Sequence, residues 1–294
     1  MLGDPLTTDR GPRAPATRPD NIKEKSRRAG RSRKGFRSLS ACDQFVIVLG
    51  FSHWKLRKGI DPMQNGIIYR GPSLYDGAPI VVIATYSARN SKTGGVVQTY
   101  ILREDIDPRD ASKYGEDASI CGTCPHRGEV TTDPARKIAK GRTCYVNLGQ
   151  GVLIAWRAYH RGVYPMAARM RERAAIGAGR VVRLGTYGDP SAVPEYVWTD
   201  LLRDAASWTA YTHDSGWRPD LAMQSADSHA EAKAHWAKGN RTFRVLQRLE
   251  DLDKDNEVLC PASKEAGKRT TCAACKLCGG TSTASPKSIA IPMH

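Results

Sequence analysis

The sequence contains no long hydrophobic run. No apolar stretch approaches the ~18–20 residues that are needed to cross a bilayer, and the first residues lack the apolar centre of a secretory signal. We therefore expect no membrane partner and a cytoplasmic location. The chain has 294 residues and is 40% hydrophobic, which suffices for one large core although aromatic residues are few.

Several well-known catalytic motifs are missing as well. The chain has no Walker phosphate-binding loop, no HxH nuclease motif and no nucleophile elbow. These absences argue against a P-loop nucleotide hydrolase, an HxH nuclease and an α/β-hydrolase. Any chemistry must therefore come from other residues, and the cysteines are the first candidates.

Seven of the eight cysteines form two groups. The first group is Cys121, Cys124 and Cys144, and the second is Cys260, Cys272, Cys275 and Cys278. CxxC spacing in a chain without an export signal favours metal ligation over disulfides. The CxxCxxC run with its remote Cys-Pro is typical of [4Fe–4S] ligands. The second group can close a four-ligand site, whereas the first leaves one iron of a cluster open.

Zinc is the alternative cofactor at both groups, because CxxC halves are also typical of structural zinc sites with four ligands. At the first group, Cys42 or His126 would supply the fourth ligand. The sequence therefore predicts one or two [4Fe–4S] clusters, with structural zinc as the competing interpretation.

Basic residues are unevenly distributed. The formal net charge is +15, and residues 1–40 hold eleven Lys/Arg against four Asp/Glu. The stretch from Lys23 to Arg37 combines this charge with Gly, Ser and almost no apolar content. It predicts a disordered arm that binds nucleic acid through phosphate contacts, with a solubilising tail as the alternative.

The remaining chain predicts a mixed α/β protein. Residues 41–110 are β-rich, residues 111–259 alternate helix and strand signals, and residues 260–294 form a cysteine-rich tail with a metal or cluster site. The alternation of helices and strands favours parallel strands with crossover helices. Several connections are too short for a full helix, which indicates a partial (β/α) barrel. Strands are expected at Gln44–Phe51, Pro79–Tyr86, Val96–Arg103, Arg180–Leu184, Trp208–Tyr211, Leu221–Ser225, Thr242–Leu246 and Glu257–Leu259. Helices are expected from Gly151, Pro165 and Pro194, and after a capping box at Ser228.

Polar residues follow four of the predicted strands. They are Asp189, His213 with Asp214, Asp227 and Gln247. The carboxyl ends of parallel strands meet at one edge, where chemistry gathers in barrel folds. His213 is a candidate ligand or proton donor, and a hydrogen-bonded loop histidine is the simpler alternative.

The first cysteine group, the helix after it and a strand ending in Gly-Asp-Pro resemble radical S-adenosylmethionine (SAM) enzymes with a non-standard, widely spaced cysteine triplet. The resemblance implies that Cys121, Cys124 and Cys144 hold a [4Fe–4S] cluster with SAM on its open iron. It also implies that Gly188 and Asp189 approach the methionine end of SAM, and that an electron donor is a partner. Asp stands here where the family has Glu, and the usual CxxxCxxC signature is absent.

A second resemblance covers residues 85–294. The segment Cys121–Pro165, the GTYGDP strand and the CPAS…CxxCxxC tail are similar to uncharacterised bacteriophage proteins, which implies action in the host cytoplasm. We therefore expect a phage-type, radical SAM-like iron–sulfur protein that acts on or near nucleic acid. The rival hypothesis is a nucleic-acid-binding replication or regulatory protein whose metal sites only stabilise the fold.

Overall fold

The computed structural model describes residues 65–87, 90–267 and 269–293 of the chain. The predicted arm, the predicted strand at Gln44–Phe51 and Cys42 lie outside these residues. Within them the protein is a mixed α/β structure with two five-stranded sheets, which confirms the predicted class. No helix of the described ranges has both the length and the apolar character that a membrane crossing would need.

The first sheet combines antiparallel and parallel strands. Its strands in spatial order are β1 (Gly66–Pro72), β2 (Pro79–Ser87), β3 (Val96–Arg103), β4 (Val181–Tyr187) and β5 (Ser207–Thr209). The pairs β1–β2 and β2–β3 are antiparallel, whereas β3–β4 and β4–β5 are parallel. Five consecutive residues of β2 are buried, so both of its faces are covered and its sequence is an apolar run rather than an alternating one.

The second sheet is entirely parallel. Its strands in spatial order are β6 (Tyr211–Thr212), β7 (Met223–Ala226), β8 (Thr242–Leu246), β10 (Ser288–Pro292) and β9 (Glu257–Leu259). Only Ala210 separates β5 from β6, so the chain passes directly from one sheet into the other. The sequence did not predict β10, which inserts between β8 and β9. The predicted cysteine-rich tail therefore contributes a central strand.

The helices are α1 (Pro108–Tyr114), α2 (Ala118–Cys121), α3 (Leu153–His160), α4 (Met170–Gly177), α5 (Glu195–Leu202), α6 (His229–Trp236) and α7 (Cys272–Cys275). Helices α3 and α5 confirm the predictions made from Gly151 and Pro194. A π-helical turn at Leu148–Val152 precedes α3, so the regular helix begins two residues later than expected. Short turns connect β6 to β7 and β8 to β9, as the sequence predicted.

The predicted helix start at Pro165 is wrong, because α4 begins at Met170. The segment between them pairs with β1 instead: Ile67 N donates to Pro165 O at 2.9 Å, and Ala167 N donates to Ile67 O at 2.8 Å. These two bonds hold the backbone extended where a helix would need its own i to i−4 bonds.

One large apolar core includes residues of β2, β3, β4, α4 and α5. Trp198 of α5 is completely buried there, and its indole N–H donates to Pro190 O at 2.9 Å. Since Pro190 follows Gly188 and Asp189, this bond anchors the turn at the end of β4. The core thus fixes one of the positions that the sequence singled out.

Candidate metal sites at the strand ends

The first cysteine group lies on the long connection from β3 to α3. Cys121 is the last residue of α2, Cys124 N donates to Cys121 O at 3.2 Å, and Cys144 N donates to His126 O at 3.0 Å. Burial raises the pKa of the Cys121 thiol, and Asp117, Cys124 and Cys144 raise it further. The structure therefore brings the three predicted thiols into one neighbourhood. Buried thiolates need a compensating positive charge, which a metal centre would provide.

The end of β4 packs against this group. Asp189 N donates to Ile120 O at 2.6 Å, directly before Cys121. Gly188 has a φ of +86°, and a Cβ at this position would stand 2.7 Å from the Cβ of Ile101. Only glycine fits this close approach without strain, so the Gly-Asp turn and Cys121 are held next to each other.

Asp189 is 7% exposed, and its carboxylate already accepts hydrogen bonds inside the protein. It accepts hydrogen bonds from Ser191 N (3.0 Å), Ser191 Oγ (2.7 Å), Thr212 Oγ1 (2.8 Å) and His213 N (2.8 Å). Four bonds use most of the acceptor capacity of a carboxylate. Asp189 therefore ties the end of β4 to the end of β6, and Gly188 is the more accessible part of this turn for a ligand.

Three further polar side chains meet beside Cys124. His213 follows β6, Asp227 follows β7, and His126 lies on the connection that carries the first cysteines. Asp227 Oδ1 is 2.9 Å from His126 Nε2, and Asp227 Oδ2 is 3.5 Å from His213 Nε2. Among the described residues this is the only set of three histidine, cysteine or acidic side chains whose candidate ligand atoms all lie within 4.8 Å of one another.

The two histidines strongly affect the pKa of Asp227, and Asp227 in turn affects that of His213. The hydrogen bonds from His126 and His213 hold the pKa of Asp227 far below its usual range. Burial opposes the charge of His213, but hydrogen bonds to Asp227 and Cys124 raise its pKa to about 10. Of the polar residues that were expected to meet at the ends of the parallel strands, Asp189, His213 and Asp227 do lie next to one another. Gln247, the fourth predicted member, is exposed.

The backbone around Asp227 is fixed by the start of α6. Ser228 caps this helix by accepting from Glu231 N at 3.1 Å, as the predicted capping box requires. The Glu231 carboxylate accepts from Asp227 N at 2.7 Å instead of from Ser228 N. The box is therefore displaced by one residue, and it orients Asp227.

The second cysteine group lies where β9, α7 and the following turn meet the second sheet. One cavity is lined by all four of its cysteines together with Tyr211 of β6 and Ile289 of β10. Burial raises the pKa of the Cys278 thiol to about 12, against a hydrogen bond from Tyr211 that lowers it. Cys278 O also accepts from Ala210 N at 2.9 Å, which fixes the group against the junction of the two sheets.

Arg183 of β4 is a cation that the sequence did not single out. Its guanidinium carbon lies 5.9 Å from the ring centres of both Tyr145 and Tyr211, and its buried Nε has no hydrogen-bond partner. Burial disfavours its charge, yet its pKa is raised because Tyr145, Tyr211, Cys272 and Cys278 lie nearby. No ion pair joins it to a carboxylate in the part of the chain that the structure describes. The only sequence signal was an arginine inside the short run RVVRL, which also begins with an arginine.

Comparisons of the chain with protein-family models, with curated proteins and with solved structures found no match.

Proposed function

We propose that this protein is an iron–sulfur protein that resembles radical SAM enzymes and acts on or near nucleic acid. The observation that carries the proposal is the position of three thiols, Cys121, Cys124 and Cys144, beside the Gly188 turn at the carboxyl end of β4. Three ligands would leave one iron of a [4Fe–4S] cluster open, and the neighbouring turn is where the resemblance expects SAM.

The strand order supports a partial barrel around this position. Strands β3 and β4 are parallel, β4 is parallel to β5, and β6, β7, β8, β10 and β9 continue as parallel neighbours after the single residue Ala210. Such a run places the ends of β4, β6 and β7 along one edge. The hydrogen bond from His213 N to Asp189 and the contact between His213 and Asp227 follow that edge.

The chain's own residues would hold the cluster and shield it from water. Cys121, Cys124 and Cys144 would bind the cluster, the partly exposed turn at Gly188 would lie beside the ligand, and Asp189 would keep the strand ends together. Cys121 and Cys144 are both partly buried, which would limit the access of water to the thiolates, and both burial and few hydrogen bonds lower the potential of a cluster. When bound, the cluster would supply one electron to SAM, with an external electron donor to restore it.

The second cysteine group would hold a further cluster with four ligands. Cys260, Cys272, Cys275 and Cys278 surround one cavity, and four thiolates leave no open iron. We expect this site to stabilise the fold and to take no substrate. Nucleic-acid binding is proposed from the basic stretch Lys23 to Arg37, which lies outside the described residues.

The test is anaerobic purification followed by iron and sulfide analysis and electron paramagnetic resonance of the reduced protein, with and without SAM. We expect SAM to shift the signal of the wild type, and Cys144→Ser to abolish that shift while the signal of the second group remains. Cys42→Ser is the matched control and should keep both. A signal that does not respond to SAM, or equal loss of iron in Cys42→Ser and Cys144→Ser, would refute the enzyme proposal.

The second candidate function is a nucleic-acid-binding protein with structural zinc sites. The observation that favours it is the second cysteine group, whose four ligands close a site within the sheet junction and need no open position. Zinc without iron or sulfide in the same anaerobic preparation would select this candidate.

A further inference from the structure

Three side chains from distant parts of the sequence converge at the edge described above. His126, His213 and Asp227 come from the connection after α2, the end of β6 and the end of β7. Their candidate ligand atoms all lie within 4.8 Å of one another. Neither the cluster nor the SAM proposal assigns a role to these three residues.

The arrangement is not a proton relay from a cysteine. In a Cys–His–Asp relay the thiol and the carboxylate contact opposite ring nitrogens of the histidine. Here the same atom, His213 Nε2, faces Cys124 Sγ at 4.0 Å and Asp227 Oδ2 at 3.5 Å. Cys124 and Asp227 therefore both lie near Nε2 of His213, the ring atom that would bind a metal ion.

The surroundings of His126 are those of a metal ligand. His126 presents Nε2 to Asp227, while its other ring nitrogen, Nδ1, lies 2.8 Å from Thr143 Oγ1. Metal-ligating histidines almost always use the second nitrogen for such an orienting hydrogen bond. The rings of His126 and His213 are 5.8 Å apart and inclined by 65°, so they do not stack and both can point at one ion. The backbone of His213 is held by Asp189, and that of Asp227 by Glu231.

We propose that His126, His213 and Asp227 bind a divalent transition-metal ion such as Zn²⁺, with three protein ligands and an open position. Cys124 Sγ is not within 4.8 Å of all three ligand atoms, so the thiol remains available to the first cysteine group. Two imidazoles and one carboxylate suit zinc and ferrous iron. An open position at such an ion binds water or a substrate oxygen and makes it more acidic. This site does not rest on the cluster or on SAM.

The experiment measures zinc, iron and sulfide per chain in the full-length protein after equilibration with Zn²⁺ and removal of loosely bound ions. The variants are His213→Ala and Asp227→Ala. The matched control is His229→Ala, which removes a histidine from another His–Asp contact, the 3.0 Å pair with Asp253. We expect both site variants to hold about one zinc less per chain than the wild type, and the control to hold as much. Iron and sulfide should be equal in all four proteins.

Two results would overturn the proposal. Equal zinc in all four proteins would show that the three side chains form only a hydrogen-bond network. Loss of the same zinc in Cys144→Ser would show that the ion belongs to the first cysteine group. Thermal melting after chelation identifies a variant that has failed to fold. The absorption change on adding Co²⁺ to wild-type protein whose cysteine groups already hold their metal then provides an independent test, because a site without thiolate should add no intense sulfur charge-transfer band. If iron is absent from every protein and the zinc difference persists, the cluster proposal fails and the zinc site stands.

Discussion

The ion pair between Arg244 and Glu257 should contribute strongly to the stability of the second sheet. Their side chains are only 5% and 0% exposed. Arg244 Nε donates to Oε1 at 2.8 Å and Nη2 donates to Oε2 at 2.6 Å, so the pair is bidentate. It joins β8 to β9 on either side of β10. Since Cys260 directly follows β9, the pair also positions the first cysteine of the second group.

The perturbation is Glu257→Gln, which leaves the Arg244 guanidinium buried beside a neutral amide. Removing one partner of a buried pair costs about 3–5 kcal/mol. For a chain of this size the expected fall in melting temperature is about 6–20 °C. The double variant Arg244→Met with Glu257→Leu should recover most of this loss, because apolar side chains of similar volume can replace a buried pair at little cost.

The assay is urea unfolding followed by far-ultraviolet circular dichroism, with metal content measured on the same preparations. Arg248→Gln is the matched control, because it breaks the nearby pair with Asp251, whose side chains are 74% and 32% exposed, and should change stability little. A loss below about 1 kcal/mol for Glu257→Gln, within the range of exposed pairs, would refute the reasoning. Glu257→Gln should also release metal from the second group before the first.

Four further outcomes are expected. Cys275→Ser should lower both the melting temperature and the metal content of the second group, and a variant that melts like the wild type would contradict a stabilising site. Deletion of residues 1–40 should leave the melting temperature unchanged and reduce the slope of log affinity for nucleic acid against log salt by roughly 0.7–0.9 for each phosphate that the protein no longer binds; an unchanged slope would exclude the arm as a binding element. Gly188→Ala should lose more iron and more stability than Gly162→Ala. Both glycines have a positive φ, but a Cβ added at Gly162 would meet no atom within 4 Å. Equal losses in the two variants would show that the close approach of Gly188 to the core is unimportant. Arg183→Met should weaken metal retention at the second group more than Arg183→Lys, and equal retention in the two variants would show that the charge at this position does not matter.

Local patterns in the sequence predicted much of the fold. The buried strand at Pro79–Ser87, the helix after Pro194 and the cap at Ser228 all depend on side chains within a few residues of each other, and all are present. The start of α4 was predicted wrongly because a distant strand, through Ile67, takes the hydrogen bonds of the segment after Pro165. Long-range pairing of this kind leaves no trace in local periodicity.

The candidate sites also contain parts that the sequence predicted and parts that it could not predict. Spacing within each cysteine group and the polar residues at strand ends were visible in the sequence. The convergence of His126 with Asp227 was not, because the two residues are 101 positions apart and His126 lies on an irregular connection after α2 whose path has no periodic signal. Strand β10 was missed for a related reason: SIAIP is too short to show a period, and its burial depends on β8 and β9 flanking it.

The two cysteine groups differ in the charges around them, and this difference supports different roles. After burial, the strongest influence on the Cys272 thiol is the cation Arg183, with Lys92 as a further cation. After burial, the strongest influence on the Cys121 thiol is the carboxylate of Asp117, with Asp189 as a further one. In the second group, Arg183 and Lys92 therefore offset part of the negative charge that a Cys272 thiolate would carry. In the first group the fixed charges act in opposite directions, because Asp117 and Asp189 raise the pKa of Cys121 whereas Arg142 lowers that of Cys144. Under the proposed function, a positively charged ligand such as SAM would therefore be favoured on the side of Cys121, where the nearby charges are those of carboxylates and other thiols.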